Sequence, residues 1–390
     1  MTLIPTGTAT AVLFGEGARH ELTGLISGQS DAKVLVVASA SSIKRAMVEE
    51  MLEALGAVVP VVVWDQVHPN PRTGDIDACL AAHGTSGITH IVGIGGGSAL
   101  DQAKATAMAL HCGMDMTALL ARKGPLPDRD NTLVLIPTTS GTGAELSYGA
   151  ILSNSATGEK LGLRGAAQAA DHALVDPELT WSLPLEPSMV TGFDVLTHAL
   201  ETWLSTAATP FTKDLSRGAI ARVFEWLPVV HDDLAHAQGR REISYASMVM
   251  GYNLALSTTC LPHRLQYPIG AATDTAHAAG LAAIYPAWLS HVLPHAQAKL
   301  AECADWIGIA HGQSEDARAG AFVQAVFDLQ ERIGLTPSLT DLGVTEEMAA
   351  RFASEVTGRL DTDPGYTGPA DLEAIYETAF KRPYFESART

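Results

Sequence analysis

Asp194 and His198 stand four residues apart in an apolar segment, Gly192-Phe193-Asp194-Val195-Leu196-Thr197-His198, that runs on into the helix formers Ala199, Leu200 and Glu201. On a helix this spacing stacks a carboxylate and an imidazole on one face. Alone, Asp-x-x-x-His more often describes a solvated or core-capping pair. His263 and His277 farther along would complete a shell of one carboxylate and three imidazoles. Those donors suit a borderline divalent ion such as Fe²⁺ or Zn²⁺ better than Ca²⁺ or Mg²⁺.

Two loops carry a second kind of chemistry. Gly93-Ile94-Gly95-Gly96-Gly97-Ser98 lies between a strand-like run and a helical one. Glycines there let the backbone approach a pyrophosphate, and a following helix N-terminus offers free N–H groups and a positive dipole end. The spacing is not G-x-G-x-x-G, so an ordinary Rossmann fingerprint is not established. Pro137-Thr138-Thr139-Ser140-Gly141-Thr142-Gly143-Ala144-Glu145 also follows a strand. Its hydroxyls and glycines could line a phosphate or ribose; as a bare motif it is equally a polar loop with a helix cap.

The elements that must position these residues fall into two kinds. Val34–Val37, Val58–Trp64, Ile91–Ile94 and Leu133–Ile136 are short apolar, largely β-branched runs, alternating with helical stretches over Lys44–Leu55 and Ala99–Leu110. Continuous apolar strands separated by helices predict a parallel sheet covered on both faces. From about Pro187 the pattern becomes long and 3.6-periodic, over Asp194–Thr206, Thr212–Val229, Ile243–Leu256 and Ala317–Ile333. The reading is an α/β dinucleotide-binding domain over residues 1–184 and an all-helical domain over 185–390.

Composition narrows the function classes. The chain has 390 residues, 47% of them apolar, which excludes a disordered protein, and a formal net charge of −18, which argues against nucleic acid or an anionic membrane as partner. Cys79, Cys112, Cys260 and Cys303 form no C-x-x-C pair, so reduced thiols are expected and a disulfide framework is not. Met1–Gly7 lacks the basic and apolar regions of a signal peptide, and no apolar run has membrane-spanning length. The expectation is a cytoplasmic, homo-oligomeric (dimeric) protein acting on a small molecule.

Together the motifs resemble the iron-containing (group III) alcohol dehydrogenase family. The similarity runs through Phe14-Gly15-x-Gly17-Ala18, Pro69-Asn70-Pro71, Gly95-Gly96-Gly97-Ser98-x-x-Asp101-x-x-Lys104, Pro137 to Glu145, Asp176-Pro177, Gly192-Phe193-Asp194-x-x-x-His198, His263 and His277. The resemblance implies the iron-dehydrogenase (dehydroquinate synthase-like) architecture, with the active site between the two domains. It implies Asp194, His198, His263 and His277 as metal ligands, with Fe²⁺ expected and Zn²⁺ or another divalent ion as the alternative. Gly95, Gly96, Gly97, Ser98 and Asp101 would face the pyrophosphate and nicotinamide, Thr138, Thr139 and Thr142 the adenosine and phosphate wall, and Lys160 the cofactor ribose. Two departures stand out. Tyr267 occupies the place four residues after His263 where many members have a further histidine, and Asp363-Pro364-Gly365 replaces the usual Asn-Pro-Arg. Tyr267 and Asp101 are the expected catalytic side chains.

The chemistry implied is an NAD(P)-linked alcohol dehydrogenase or aldehyde reductase. Local similarity to hydroxyacid–oxoacid transhydrogenases keeps that activity as an alternative. Asp194 counts against a maleylacetate reductase, and the intact ligand set counts against a non-enzymatic binding module. After the first strand, Ser39 to Arg45 offers hydroxyls and two cations where an NAD enzyme commonly places an acid, so NADP(H) is expected over NAD(H). Arg164 and Arg264 are candidates for holding an anionic substrate, a hydroxy acid, semialdehyde or phosphonate aldehyde.

Overall fold

The computed structural model describes residues 8–28 and 31–382; Met1–Gly7, read above for a signal peptide, lie outside them. The chain divides into two compact units. Among the described residues, one comprises residues 8–184 together with Arg240–Ala255, and the other comprises Leu185–Gly239 and residues 256–382. Among the described residues no helix is long and apolar enough to cross a membrane, and all four cysteines are free thiols.

Eight strands lie in the first unit: β1 (Ala11–Phe14), β2 (Val34–Ala38), β3 (Val61–Trp64), β4 (His90–Gly95), β5 (Thr132–Pro137), β6 (Gly149–Ser153), β7 (Lys160–Arg164) and β8 (His172–Val175). Six form a parallel sheet in the order β1-β8-β5-β4-β2-β3, while β6 and β7 make a separate antiparallel hairpin. The apolar runs are unbroken because both faces are covered. Val34, Val36, Val92, Ile94, Val134 and Ile136 pack on one side against Leu22, Ile26, Val48 and Leu55. Leu35, Val37, Ile91, Leu133 and Leu135 pack on the other against Leu100, Ala103 and Ala107. Each such aliphatic side chain contributes about 1.5–3 kcal/mol of hydrophobic stabilisation.

Strand order places the ligand crevice. From β2 the chain moves outward to β3, then returns to β4 on the opposite side of β2 and continues to β5. Connections therefore diverge between β2 and β4, and ligands of open α/β sheets bind outside the carboxyl ends of strands at such a switch point. The segments leaving those ends begin at Ser39 after β2, Gly96 after β4 and Thr138 after β5.

The Ala237–Leu256 helix joins this unit through its Arg240–Ala255 stretch. It docks on the loop after β5: Ser244 and Ser140 hydroxyls lie 2.8 Å apart, and Gly251 meets Gly143, which has φ 59°. A Cβ on Gly251 would stand 2.2 Å from the Gly143 carbonyl oxygen, so neither position tolerates a side chain without movement. Arg19 ties the start of the unit to its end by donating to Asp176, 2.6 Å away, and to Glu178. That joins the Gly17-Ala18 and Asp176-Pro177 motifs in one buried ion cluster.

The second unit is helical. Its Leu185–Leu204 helix opens with Pro187 in the first turn, where a missing N–H costs nothing, and ends where Lys299 donates to the Leu204 carbonyl at 2.8 Å. The helices Leu261–Thr273 and His277–Val292 follow one another with a short break.

The Gly143–Gly251 contact gives a first prediction. Gly251→Ala should lower the unfolding free energy in urea by about 1–3 kcal/mol, the cost of overpacking a closed contact. An unchanged midpoint and slope would show that the helix and loop are free to separate.

Candidate active site

Each loop of the first unit is held in place by its neighbours. Gly95 has φ 149°, Gly97 opens the helix Gly97–Cys112, and the Thr138 N–H donates to the Gly95 carbonyl at 2.9 Å. A Cβ on Gly97 would lie 2.8 Å from Thr142 Cγ2 and 2.9 Å from its Oγ1, so the threonine loop closes directly over the helix start. Thr139 flanks Gly96 in the same way, at 3.4 Å from where a Cβ would be. Ser39 caps a short helix, its hydroxyl lying 2.8 Å from that of Ser42 and 3.0 Å from that of Ser41. Ser42 reaches within 3.4 Å of a Cβ on Gly95. Ser39, Gly95, Gly96, Gly97, Thr138, Thr139 and Thr142 are thus gathered at the carboxyl ends of β2, β4 and β5, with Ser98 in the first turn of the helix. The first N–H groups of that helix have no partner within it and suit an anion.

Lys160 donates to Asn70 Oδ1 at 2.7 Å, linking β7 to a residue held at φ 54°. Asp101 is already engaged: one oxygen meets Lys104 Nζ at 2.8 Å and the other accepts the Ile151 N–H at 2.9 Å. Lys104 is fully buried and also donates to the carbonyls of Ala144 and Gly149 and to Ser147 Oγ. Together they clamp the Gly97–Cys112 helix to the hairpin and to the loop after β5. The geometry makes Asp101 part of this clamp. Burial pushes the Glu145 carboxyl up to about 7, partly offset by its own backbone N–H and by Lys104.

The metal-type residues meet in the second unit. Asp194 and His198 face the same way from the Leu185–Leu204 helix, His263 comes from Leu261–Thr273, and His277 opens His277–Val292. Donor atoms of Asp194, His263 and His277 all lie within 4.8 Å of one another. His198 Nε2 and His263 Nε2 stand 3.9 and 4.0 Å from Asp194 Oδ1. The His263 ring centroid is 4.6 Å from that of His198 and 5.1 Å from that of His277.

These residues fit a divalent ion. Separations near 4 Å are too long for hydrogen bonds but close to the span of donors that share one ion at about 2.0–2.2 Å. His263 Nε2, the ring nitrogen nearest Asp194, is buried with no hydrogen-bond partner. Burial holds the His263 imidazole well below its ordinary range, with the His198 ring acting in the same sense, so it is neutral and can donate a lone pair. Burial works to raise Asp194, but the three imidazoles overcome it and hold the carboxyl below its usual range. The donor atoms of Asp194, His263 and His277 converge, with His198 beside Asp194, which makes a set of one carboxylate and three imidazoles.

A second layer aims these donors, and the sequence analysis did not assign it. Glu201 Oε1 lies 2.8 Å from His263 Nδ1, so the ring presents Nε2 to the cluster. Glu201 Oε2 accepts the Cys260 N–H at 2.9 Å, and Asp363 Oδ2 accepts the Leu261 N–H at 3.0 Å. Two carboxylates thus satisfy the start of the Leu261–Thr273 helix, where the helix dipole favours negative charge. Asp363 also accepts from Trp288 Nε1 at 2.7 Å and the Gly365 N–H at 2.8 Å. The Asp363-Pro364-Gly365 departure is therefore a built anchor for the helix that carries His263. Gln266 Oε1 lies 2.6 Å from His277 Nδ1 and orients that ring. The signal in the sequence was spacing: Glu201 is three residues beyond His198, and Gln266 three beyond His263.

Tyr267 lies beside this cluster, its ring centroid 6.5 Å from that of His277, and its hydroxyl accepts from Arg264 at 3.3 Å. Arg164, in contrast, is exposed on β7 and extends along Gly162 and Gly149 of the hairpin.

Comparison with known proteins agrees with this geometry. Residues 9–177 match the sequence model of the iron-containing alcohol dehydrogenases, and residues 188–380 match that of the C-terminal region of the same family. The chain belongs to the iron-containing alcohol dehydrogenase family. Choline dehydrogenase of Bacillus subtilis is 28% identical over 387 residues, covering 98% of this chain and 95% of that protein. 4-Hydroxybutyrate dehydrogenase of Cupriavidus necator is 29% identical, covering 81% and 84%. The crystal structure of a 1,3-propanediol oxidoreductase superposes with a TM-score of 0.90 at 25% identity, covering 97% of this chain and all of that one.

The Glu201 contact yields a second prediction. Glu201→Leu should weaken divalent-metal affinity about 10–100-fold, as loss of an imidazole-orienting carboxylate does elsewhere, with far-ultraviolet circular dichroism unchanged. Parental affinity in a folded variant would mean that His263 needs no orientation.

Proposed function

We propose that this protein is a metal-dependent, NAD(P)-linked alcohol dehydrogenase or aldehyde reductase that moves a hydride between the nicotinamide and a small primary alcohol or aldehyde, anionic ones included. The observation that carries the reading is the donor cluster of Asp194, His263 and His277 with the unpartnered, buried His263 Nε2. Asp194, His198, His263 and His277 would hold a divalent ion, iron by the family's name. When bound, that ion supplies Lewis-acid polarisation of the substrate oxygen, and the nicotinamide supplies hydride exchange.

The remaining work falls to the chain's own groups. The N–H groups around Gly96, Gly97 and Ser98 bind and orient a pyrophosphate, with Thr138, Thr139 and Thr142 as the facing wall. Lys160 serves the ribose side, and Asp101 acts through its clamp. Tyr267 is the side chain that would take or return the substrate proton, since its ring adjoins His277 and its hydroxyl accepts from Arg264. Among relatives, proteins named for 4-hydroxybutyrate, propanol and long-chain alcohols support a primary alcohol, with the first an anionic one.

The loop after β2 favours the phosphorylated cofactor. Ser39, Ser41 and Ser42 cluster there, and the Arg45 guanidinium buries an Nη1 with no hydrogen-bond partner. A 2′-phosphate would supply the missing acceptor.

Two measurements test these statements. His263→Ala, or exhaustive chelation, should abolish turnover while the fold persists; full activity without metal would sink the mechanism. NADPH should outperform NADH in kcat/KM, and Arg45→Ala should cut that ratio about tenfold, the scale of one charge-assisted hydrogen bond. A clear preference for NADH in the parent would refute the assignment.

A further inference from the structure

Arg264 is buried, at 9% exposure, yet among the described residues it has no carboxylate within ion-pair distance. A guanidinium carries five N–H donors. Here one Nη1 hydrogen goes to the Tyr267 hydroxyl at 3.3 Å and one Nη2 hydrogen to Thr258 Oγ1 at 3.1 Å. Nε is buried without any acceptor. Two neutral oxygens, with Glu201 acting only from beyond ion-pair distance, leave donors of a buried cation unanswered, and its desolvation is costly unless charge and hydrogen bonds are both met.

The position of this charge is built rather than incidental. Arg264 follows His263 directly on the helix, and the hydroxyl it grips belongs to Tyr267, whose ring adjoins His277. Gly358, at φ 105°, makes room for the stem: a Cβ there would lie 3.2 Å from Arg264 Cδ and 3.3 Å from Nε. Thr258, Tyr267 and Gly358 thus hold a fork with three unused donors beside the metal-type cluster. Carboxylates, phosphonates and sulfonates accept from such a fork through two oxygens.

Resting on the dehydrogenase reading, we propose that Arg264 binds the anionic end of the substrate. The preferred substrates are then short aldehydes or alcohols with an anion at the end remote from the reacting carbon. Arg264 does this by itself, without Arg164, whose side chain is exposed on the hairpin.

The test compares partners matched in length. Metal-loaded protein without nicotinamide cannot turn over, so calorimetry with 4-hydroxybutanoate and with 1-butanol reads binding alone. The acid should bind at least about tenfold tighter, from hydrogen bonds to a charged group. In steady state, the kcat/KM ratio of 4-oxobutanoate to butanal should fall about 10–100-fold in Arg264→Gln and recover in part in Arg264→Lys. Should Arg264→Gln not fold, Thr258→Val removes one holding bond and should lower the same ratio. Equal binding of acid and alcohol by the parent, or an unchanged ratio in the variants, overturns the proposal. Metal-dependent turnover of butanal with no preference for the acid would end this inference and leave the dehydrogenase standing. Tight binding of 4-hydroxybutanoate, lost in Arg264→Gln, with no turnover of any aldehyde would do the reverse.

Discussion

A desolvated carboxylate surrounded by imidazoles is the constraint from which the helical unit can be understood. Asp194 is buried, as are His198 and His263, and none of the three is hydrogen-bonded to another. Polar groups held near 4 Å apart in an apolar interior forgo both water and each other, which is destabilising unless a cation restores the lost interactions. The surroundings keep them apart: Thr197 donates to Asp194 Oδ1 at 3.1 Å, Glu201 holds His263, and Gln266 holds His277. Glu201 and Gln266 occupy the Nδ1 sides of their rings, while Thr197 shares the Asp194 oxygen that faces His198 and His263. Folding therefore maintains an arrangement whose compensation arrives with the ion.

The α/β unit solves a different problem by the same means, with backbone in place of side chains. Glycines at 95, 96 and 97 remove the atoms that would keep a phosphate away, and the threonine loop closes on them to van der Waals distance. That closeness must be enforced, and Lys104 enforces it. One ammonium donates to two carbonyls and a hydroxyl and forms an ion pair with Asp101, which ties the helix, the hairpin and the loop together. A fully buried lysine of this kind specifies geometry more than it adds stability.

What the sequence revealed and what it hid follow from how local each feature is. The central strands were legible because both faces are buried, so the apolar run is unbroken from Val34 to Ala38 and through most of Leu133 to Pro137. Edges were not: β1 alternates exposed and half-buried residues over four positions, and the β6–β7 hairpin carries little apolar signal. The helix expected over Lys44–Leu55 starts only at Ala46, because Arg45 is extended, at φ −83° and ψ 130°, and a separate short helix, Ala40–Ile43, precedes it. The strand expected from Val58 begins only at Val61. The donors themselves were readable from residue type and spacing. Glu201 and Asp363 were not, because they act on a helix that is distant in sequence: 59 and 102 residues separate each carboxylate from the N–H it accepts. Arg264 was visible as a charge, but only packing shows that, among the described residues, no carboxylate pairs with it directly.

The central claim is that Asp194, His198, His263 and His277 hold one divalent ion, and Co²⁺ titration of metal-free protein tests it most directly. Co²⁺ in a confined nitrogen and oxygen shell absorbs visible light far more strongly than the aqueous ion, so occupancy can be followed without turnover. The account predicts a band that saturates at one equivalent per chain and is lost when Asp194 or His277 is replaced by Ala in a folded protein. A protein that develops no band, or one whose band survives both replacements, would contradict it.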